Sequence, residues 1–269
     1  MVEIVAETGI PTVAHNHDFY WERKRFSVNC VWDYLNTAFS PRHPFVRQVV
    51  INTEARSQLA FRKGAAAIII PNVMNYDKPP KEPDDYSSDV REVLGIDKKE
   101  YLILQPTRVV KRKGIEHSVE LMLRLNRKGV KAKLVISHAS GDEGNDYEMR
   151  LREYSKIMRV NTLFVSDLIS DERFRTKKGK LEAIYFKNPI LINNYSIYRH
   201  DIRPKGFKVV EMYDYITEET VSDVIDILQN KYRRNRMVDF NYSLAKRYYS
   251  YPNLKRKLRF IFNDFFGEE

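Results

Sequence analysis

Three stretches of this chain carry side chains whose types and spacing could do chemistry. In TRVVKRKGIE (107–116), Arg108 follows the apolar run YLILQ, and Lys113 stands just before Gly114, where a helix is expected to open. Two fixed cations beside a helix N-terminus make a site for a diphosphate, because the free N–H groups and the helix dipole both favour an anion. Arginine can bind two oxygens at once, whereas lysine offers a compact point charge. The competing reading of such a basic run is a solvated turn. In VAHNHDFYWER (13–23), His15 and His17 lie two apart on an expected strand and so point the same way. With Asp18 this spacing suggests a metal hydrolase, although catalytic zinc takes three protein ligands plus water. His43, His117, His138 and His200 have no companion spacing that would supply the third. The last stretch, LEAIYFKNPILIN (181–193), sets Glu182 in a helix ahead of an apolar strand. Read alone, that glutamate is a surface charge.

These residues need elements to hold them. A helix at 2–8 leads through Gly9 and Pro11 into a strand at 12–15. A polar loop, a strand at 48–53 (QVVINT), a helix EARSQLAFRK and a strand AAAIII closed by Pro71 follow. Residues 76–97 hold three prolines and many acids and read as a linker. The pattern then resumes with strands at 101–105, 132–137 and 162–166. Helices are expected after Gly114 and at 146–158, and then helix LEAIYFK and strand PILIN. The loop SHASGDEGND (137–146) follows a strand, at the carboxyl edge where open α/β sheets take ligands; its Gly and Asp residues are equally those of a solvated turn, which is the reading preferred. Short apolar runs separated by helices indicate parallel sheets covered on both faces. The expectation is an α/β chain with a first lobe at 1–75, a linker at 76–97, a second lobe at 98–217 and helices at 218–269.

In this order the three blocks resemble the retaining glycosyltransferases of the GT-B fold, called glycosyl transferases group 1 or family 4. The resemblance implies two Rossmann-like, doubly wound lobes. It also implies transfer of a sugar from a nucleotide-sugar donor to an acceptor with retention of anomeric configuration. Arg108 and Lys113, with Gly114, would hold the donor diphosphate and stabilise the charge it gains on leaving, which needs no protein nucleophile. Glu182 would accept hydrogen bonds from the ribose hydroxyls. His15 would stand in the cleft near the donor sugar or acceptor, with Trp21, Glu22 and Arg23 towards the acceptor. No metal and no cofactor is implied, since the nucleotide-sugar is the substrate.

The chain departs from the family pattern at two places. Where relatives carry a second glutamate after a glycine-rich loop, counting back from Glu182 reaches Phe174 in FRTKKGKLEA. The chain also starts at what corresponds to the helix before the first domain's fourth strand, so we expect an N-terminal lobe short of its first strands. These departures keep open a non-catalytic nucleotide-binding or partner subunit derived from a glycosyltransferase. They also make a complementary chain or a homo-oligomer a natural partner.

The formal charge of +10 admits nucleic acid, an anionic membrane or a phosphorylated donor as partner. Zinc-finger spacing, RNP-type motifs and basic zippers are all missing, which argues against nucleic acid. The basic residues concentrate in KYRRNR (231–236) and LKRKLR (254–259). In the tail, Leu254, Leu258, Ile261, Phe262 and Phe265 recur at helical spacing, as in a closing helix packed on the fold. With Lys255, Arg256, Lys257 and Arg259 between them, the second reading is a helix lying on anionic lipid. A single cysteine, Cys30, fits a reducing compartment. With no signal-type start and no spanning run, the expectation is a cytoplasmic protein, with peripheral membrane contact as an addition.

Overall fold

The computed structural model describes residues 2–22, 31–80, 88–141, 144–165 and 179–267. Arg23, Cys30, Phe174 and linker residues 81–87 lie outside them. In chain order the elements are α1 (Val2–Thr8), β1 (Thr12–Asn16), α2 (Trp32–Ala38), β2 (Val46–Val50), α3 (Thr53–Lys63) and β3 (Ala67–Ile69). Then come α4 (Val90–Val93), β4 (Tyr101–Gln105), α5 (Glu116–Arg127), β5 (Ala132–Ile136), α6 (Asp146–Ile157) and β6 (Thr162–Phe164). The chain continues through α7 (Gly179–Tyr185), β7 (Leu191–Asn193), a π-helical turn (Tyr198–Ile202) and β8 (Val210–Met212). It ends with α8 (Glu218–Gln229), α9 (Lys231–Tyr249) and α10 (Tyr251–Phe266). Among the described residues, no helix is long and apolar enough to cross a membrane.

Two compact units form. One gathers Met1–Asp77, Tyr195–Phe207 and Lys246–Glu269; the other gathers Lys78–Asn194 and Lys208–Ala245. In the first, β1, β2 and β3 lie side by side in that order, all parallel. Successive strand residues point to opposite faces. Val50 therefore meets Leu59 and Ala55 of α3 with Phe19, while Val49 meets Ile261 of α10 with Ile70. Asn52 caps α3 by accepting from the Ala55 N–H at 2.7 Å, and Gly64 closes it in the left-handed conformation. The Asp201 carboxylate accepts from the Thr53 N–H at 3.1 Å and from the Thr53 hydroxyl. That contact at the start of α3 ties Tyr195–Phe207 to this unit, and an anion there is favoured by the helix dipole.

In the second unit β4, β5 and β6 are again parallel and adjacent in that order, and β7 pairs in parallel with β8. Alternation sorts the strand side chains between two cores. Ile103, Leu134, Ile136 and Phe164 join Val119, Met122 and Leu125 of α5, Leu151 of α6 and Val221 and Val224 of α8. Leu102, Leu104, Val135 and Leu163 face the other way, against Leu94 and Ile96. Lys133 is also buried, and its ammonium donates to the Gly95 carbonyl and lies 3.9 Å from Glu100. A buried charge of this kind needs such partners.

Three details differ from the sequence expectation. The strand expected over 48–53 runs instead over Val46–Val50, because Asn52 and Thr53 are taken by the cap and first turn of α3. The polar stretch before it contains α2, a seven-residue helix without a side-chain cap. The π-helical turn and β8 carry no clear periodic signal. In α10, Leu254, Ile261 and Phe265 pack on Val49, Ile68 and Ile70 as a closing helix would, whereas Leu258 and Phe262 do not join them. Ile261 is 2% exposed and Phe262 58%. Replacing Ile261 with alanine is expected to cost about 2–5 kcal/mol of stability. Phe262→Ala is expected to cost under about 0.5 kcal/mol. Urea denaturation of the two variants checks the contrast.

Candidate functional site

Because β4, β5 and β6 are parallel, their carboxyl ends share one edge of the sheet, the edge at which open α/β sheets take ligands. The chain leaving β4 passes Thr107 and Arg108 and makes a single 3₁₀ turn, Lys111–Lys113. It then reverses at Gly114 (φ 55°) and enters α5. A side chain at 114 would be strained at that φ, and its Cβ would lie 3.0 Å from His117 Cδ2. Gln105 fixes the start of the turn: its side-chain NH2 donates to Thr107 Oγ1 at 3.0 Å, and its side-chain Oε1 accepts from the Ser118 hydroxyl at 3.0 Å. The loop after β5 lies alongside, with the Val109 N–H donating to the Ala139 carbonyl at 3.3 Å. In that loop Gly141 runs beside Arg108. A Cβ there would stand 3.8 Å from both Arg108 Cδ and Nη1.

Tyr147, from α6, organises the helix start. Its hydroxyl accepts from the Ile115 N–H at 3.0 Å and donates to the Glu116 carboxylate. Burial first, and then Glu116, push the phenol well above its ordinary range, so it stays a donor at any physiological pH. The result is a half-buried guanidinium at Arg108, an exposed ammonium at Lys113 and a helix N-terminus on one short loop. That arrangement can hold a multiply charged anion with groups fixed before it arrives.

Of the residues picked out by sequence, Arg108, Lys113 and Gly114 share this turn. Glu182 belongs to the same unit but to the first turn of α7, where it is half-buried. His15 belongs to the other unit, on β1, with its ring centroid 4.5 Å from that of His17. Its imidazole is held below the usual range, first by partial burial and second by the His17 ring, against an opposing backbone hydrogen bond at Ile70. No group of three or more His, Cys, Asp or Glu side chains among the described residues is placed to hold a metal. Two contributors escaped the sequence reading. Gly141 sat in a loop read as a solvated turn, though its place after a strand was a usable signal. Tyr147 reaches Ile115 from another helix, and nothing local announces it.

The chain superposes on the crystal structure of Anabaena Alr3699/HepE in complex with UDP-glucose with a TM-score of 0.70, covering 97% of this chain and 73% of that one. The fold is that of the GT-B glycosyltransferases. At 11% identity the likeness speaks for the fold alone. In sequence, the chain is 29% identical over 249 residues to mannosylglucosylglycerate synthase of Petrotoga mobilis, matching 77% of this chain. It is 27% identical over 290 residues to mannosylglucosylglycerate synthase of Thermotoga maritima, matching 90% of this chain and 68% of that protein. The match spans little more than half the length of the Petrotoga protein, 57%. No protein-family model matches the chain.

In this GT-B chain, Gly114→Ala is expected to lower stability by about 1–2 kcal/mol, the cost of a left-handed alanine, as read by urea denaturation. His15 should titrate with a midpoint below 6.5 in an NMR pH series. A depressed imidazole pKa means the unfolded chain binds more protons, so stability falls as pH drops below 6.5 and is unaffected by this group above it. His15→Gln should remove that part of the pH dependence.

Proposed function

We propose that this protein transfers a sugar from a nucleotide-sugar donor to an acceptor, with retention of anomeric configuration and without a metal. The observation that carries the reading is the turn from Arg108 to Gly114 at the start of α5, at the carboxyl edge of a parallel sheet. Arg108 and Lys113 hold the donor diphosphate and stabilise the negative charge that builds as the glycosidic bond to it breaks. Charge stabilisation by groups already in place is worth most at that moment. Glu182 accepts from the ribose hydroxyls, and His15 serves the sugar-transfer side. The shared name of the two relatives supports a mannosyl donor and an acceptor made of glucose and glycerate. Such an acceptor is a small anionic glycoside.

A second reading rests on Phe174, where the family resemblance calls for a glutamate that contacts the donor sugar. Under it the chain binds the nucleotide without transferring the sugar by itself, as one part of a larger assembly with a complementary chain or a second copy.

Calorimetric titration with UDP, GDP, ADP and their sugar conjugates tests the donor site. One nucleotide should bind saturably, and the Arg108→Ala, Lys113→Ala variant should bind it at least about 100-fold more weakly, two charged hydrogen bonds having been lost. Glu182→Gln should weaken the same nucleotide by about tenfold. Binding with no sugar transfer to glucosylglycerate, followed by NMR of the anomeric proton, would favour the second reading. A folded chain that binds none of the nucleotides would sink both.

A further inference from the structure

α10 has more apolar surface than its sheet can cover. Leu254, Ile261 and Phe265 are turned to β2 and β3, and the Lys257 ammonium reaches the Ile69 carbonyl at 2.6 Å on that same side. A second stripe follows at helical spacing, Tyr251, Leu258, Phe262 and Phe266, and it faces solvent; Phe262 is 58% and Phe266 69% exposed. Together with Leu254, Lys255 and Arg259, most of this stripe lines an open groove of about 300 Å³. Exposed aromatics of this size, contiguous along one helix face, mark an interaction surface more often than scattered single residues do.

The charges indicate what covers it. The helix carries Lys255, Arg256, Lys257 and Arg259 against one acid, Asp264, and that acid is paired with Arg47 of β2. Lys255 and Arg259 are exposed and flank the aromatic stripe. Their long apolar stems can lie along the stripe while the charged heads reach outward. We propose that this face of α10 docks on an anionic lipid surface, with Tyr251, Leu258, Phe262 and Phe266 entering the headgroup boundary and Lys255 and Arg259 meeting lipid phosphates and carboxylates. Aromatic and aliphatic insertion combined with cationic flanks is the arrangement of interfacial helices. Basic residues near such a surface add an attraction that falls off within a Debye length. The anchoring stripe is distinct from the residues that hold α10 to the sheet, so docking leaves the fold intact. α10 belongs to one unit and the Arg108–Gly114 turn to the other.

Co-sedimentation of the whole chain with vesicles tests it, using phosphatidylcholine alone and phosphatidylcholine with about 30% phosphatidylserine, a strongly anionic surface. Binding to the anionic vesicles only, weakened at about 0.5 M salt, is expected. Lys255→Glu with Arg259→Glu should weaken it about tenfold or more, and Phe262→Ser with Phe266→Ser should do likewise. Unchanged urea denaturation of both variants would separate lost docking from lost folding. Three results would overturn the proposal: no sedimentation with either vesicle, equal sedimentation with both, or self-association without lipid that Phe262→Ser with Phe266→Ser abolishes. The last would assign the stripe to a second copy of the chain.

Discussion

A parallel sheet has two apolar faces, and the arrangement of this protein follows from the need to cover both. Parallel strands cannot be joined by tight hairpins, so each is followed by a crossover that returns along a face of the sheet. In the second unit α5, α6 and α8 cover one face, and Leu94 and Ile96 with their neighbours cover the other. In the first, α3 covers one face and α10, from the far end of the chain, covers the other. Within each sheet the same crossovers bring the strands' carboxyl ends to one edge. A helix entered from that edge presents its N-terminus there, and the Arg108–Gly114 turn uses that consequence.

The turn is more than a basic loop because its parts are held before any ligand arrives. Gly114 permits a reversal that a side chain would strain, Gln105 and Ser118 pin its beginning, and Tyr147 holds the N–H of Ile115, the residue just before α5. Gly141 turns in the left-handed conformation beside Arg108, whose half-burial makes its charge count for more than a fully solvated one would. Lys113, exposed, adds attraction that salt can screen. An unsupported pair of surface cations would lack this graded environment.

How far the sequence could be read depended on whether a signal was local. The strands YLILQ and AKLVI, the helix after Gly114 and the cation pair were legible because apolar runs, a glycine and charge spacing are written in adjacent residues. The start of α3 was misread since Ile51 continues the apolar run of β2, and only the Asn52–Ala55 cap reveals the change. Asp201 at the start of α3, and Tyr147 at the start of α5, join residues far apart in the chain. No periodicity reports such contacts. The tail showed the reverse case: its helical spacing was plain, but which of its apolar residues face the sheet depended on where β2 and β3 lie.

The most direct measurement is a crystal structure of the chain with a nucleoside diphosphate. The account predicts the two phosphates against Arg108, Lys113 and the first N–H groups of α5, with the ribose towards Glu182. A diphosphate bound elsewhere, with that turn holding solvent, would contradict it.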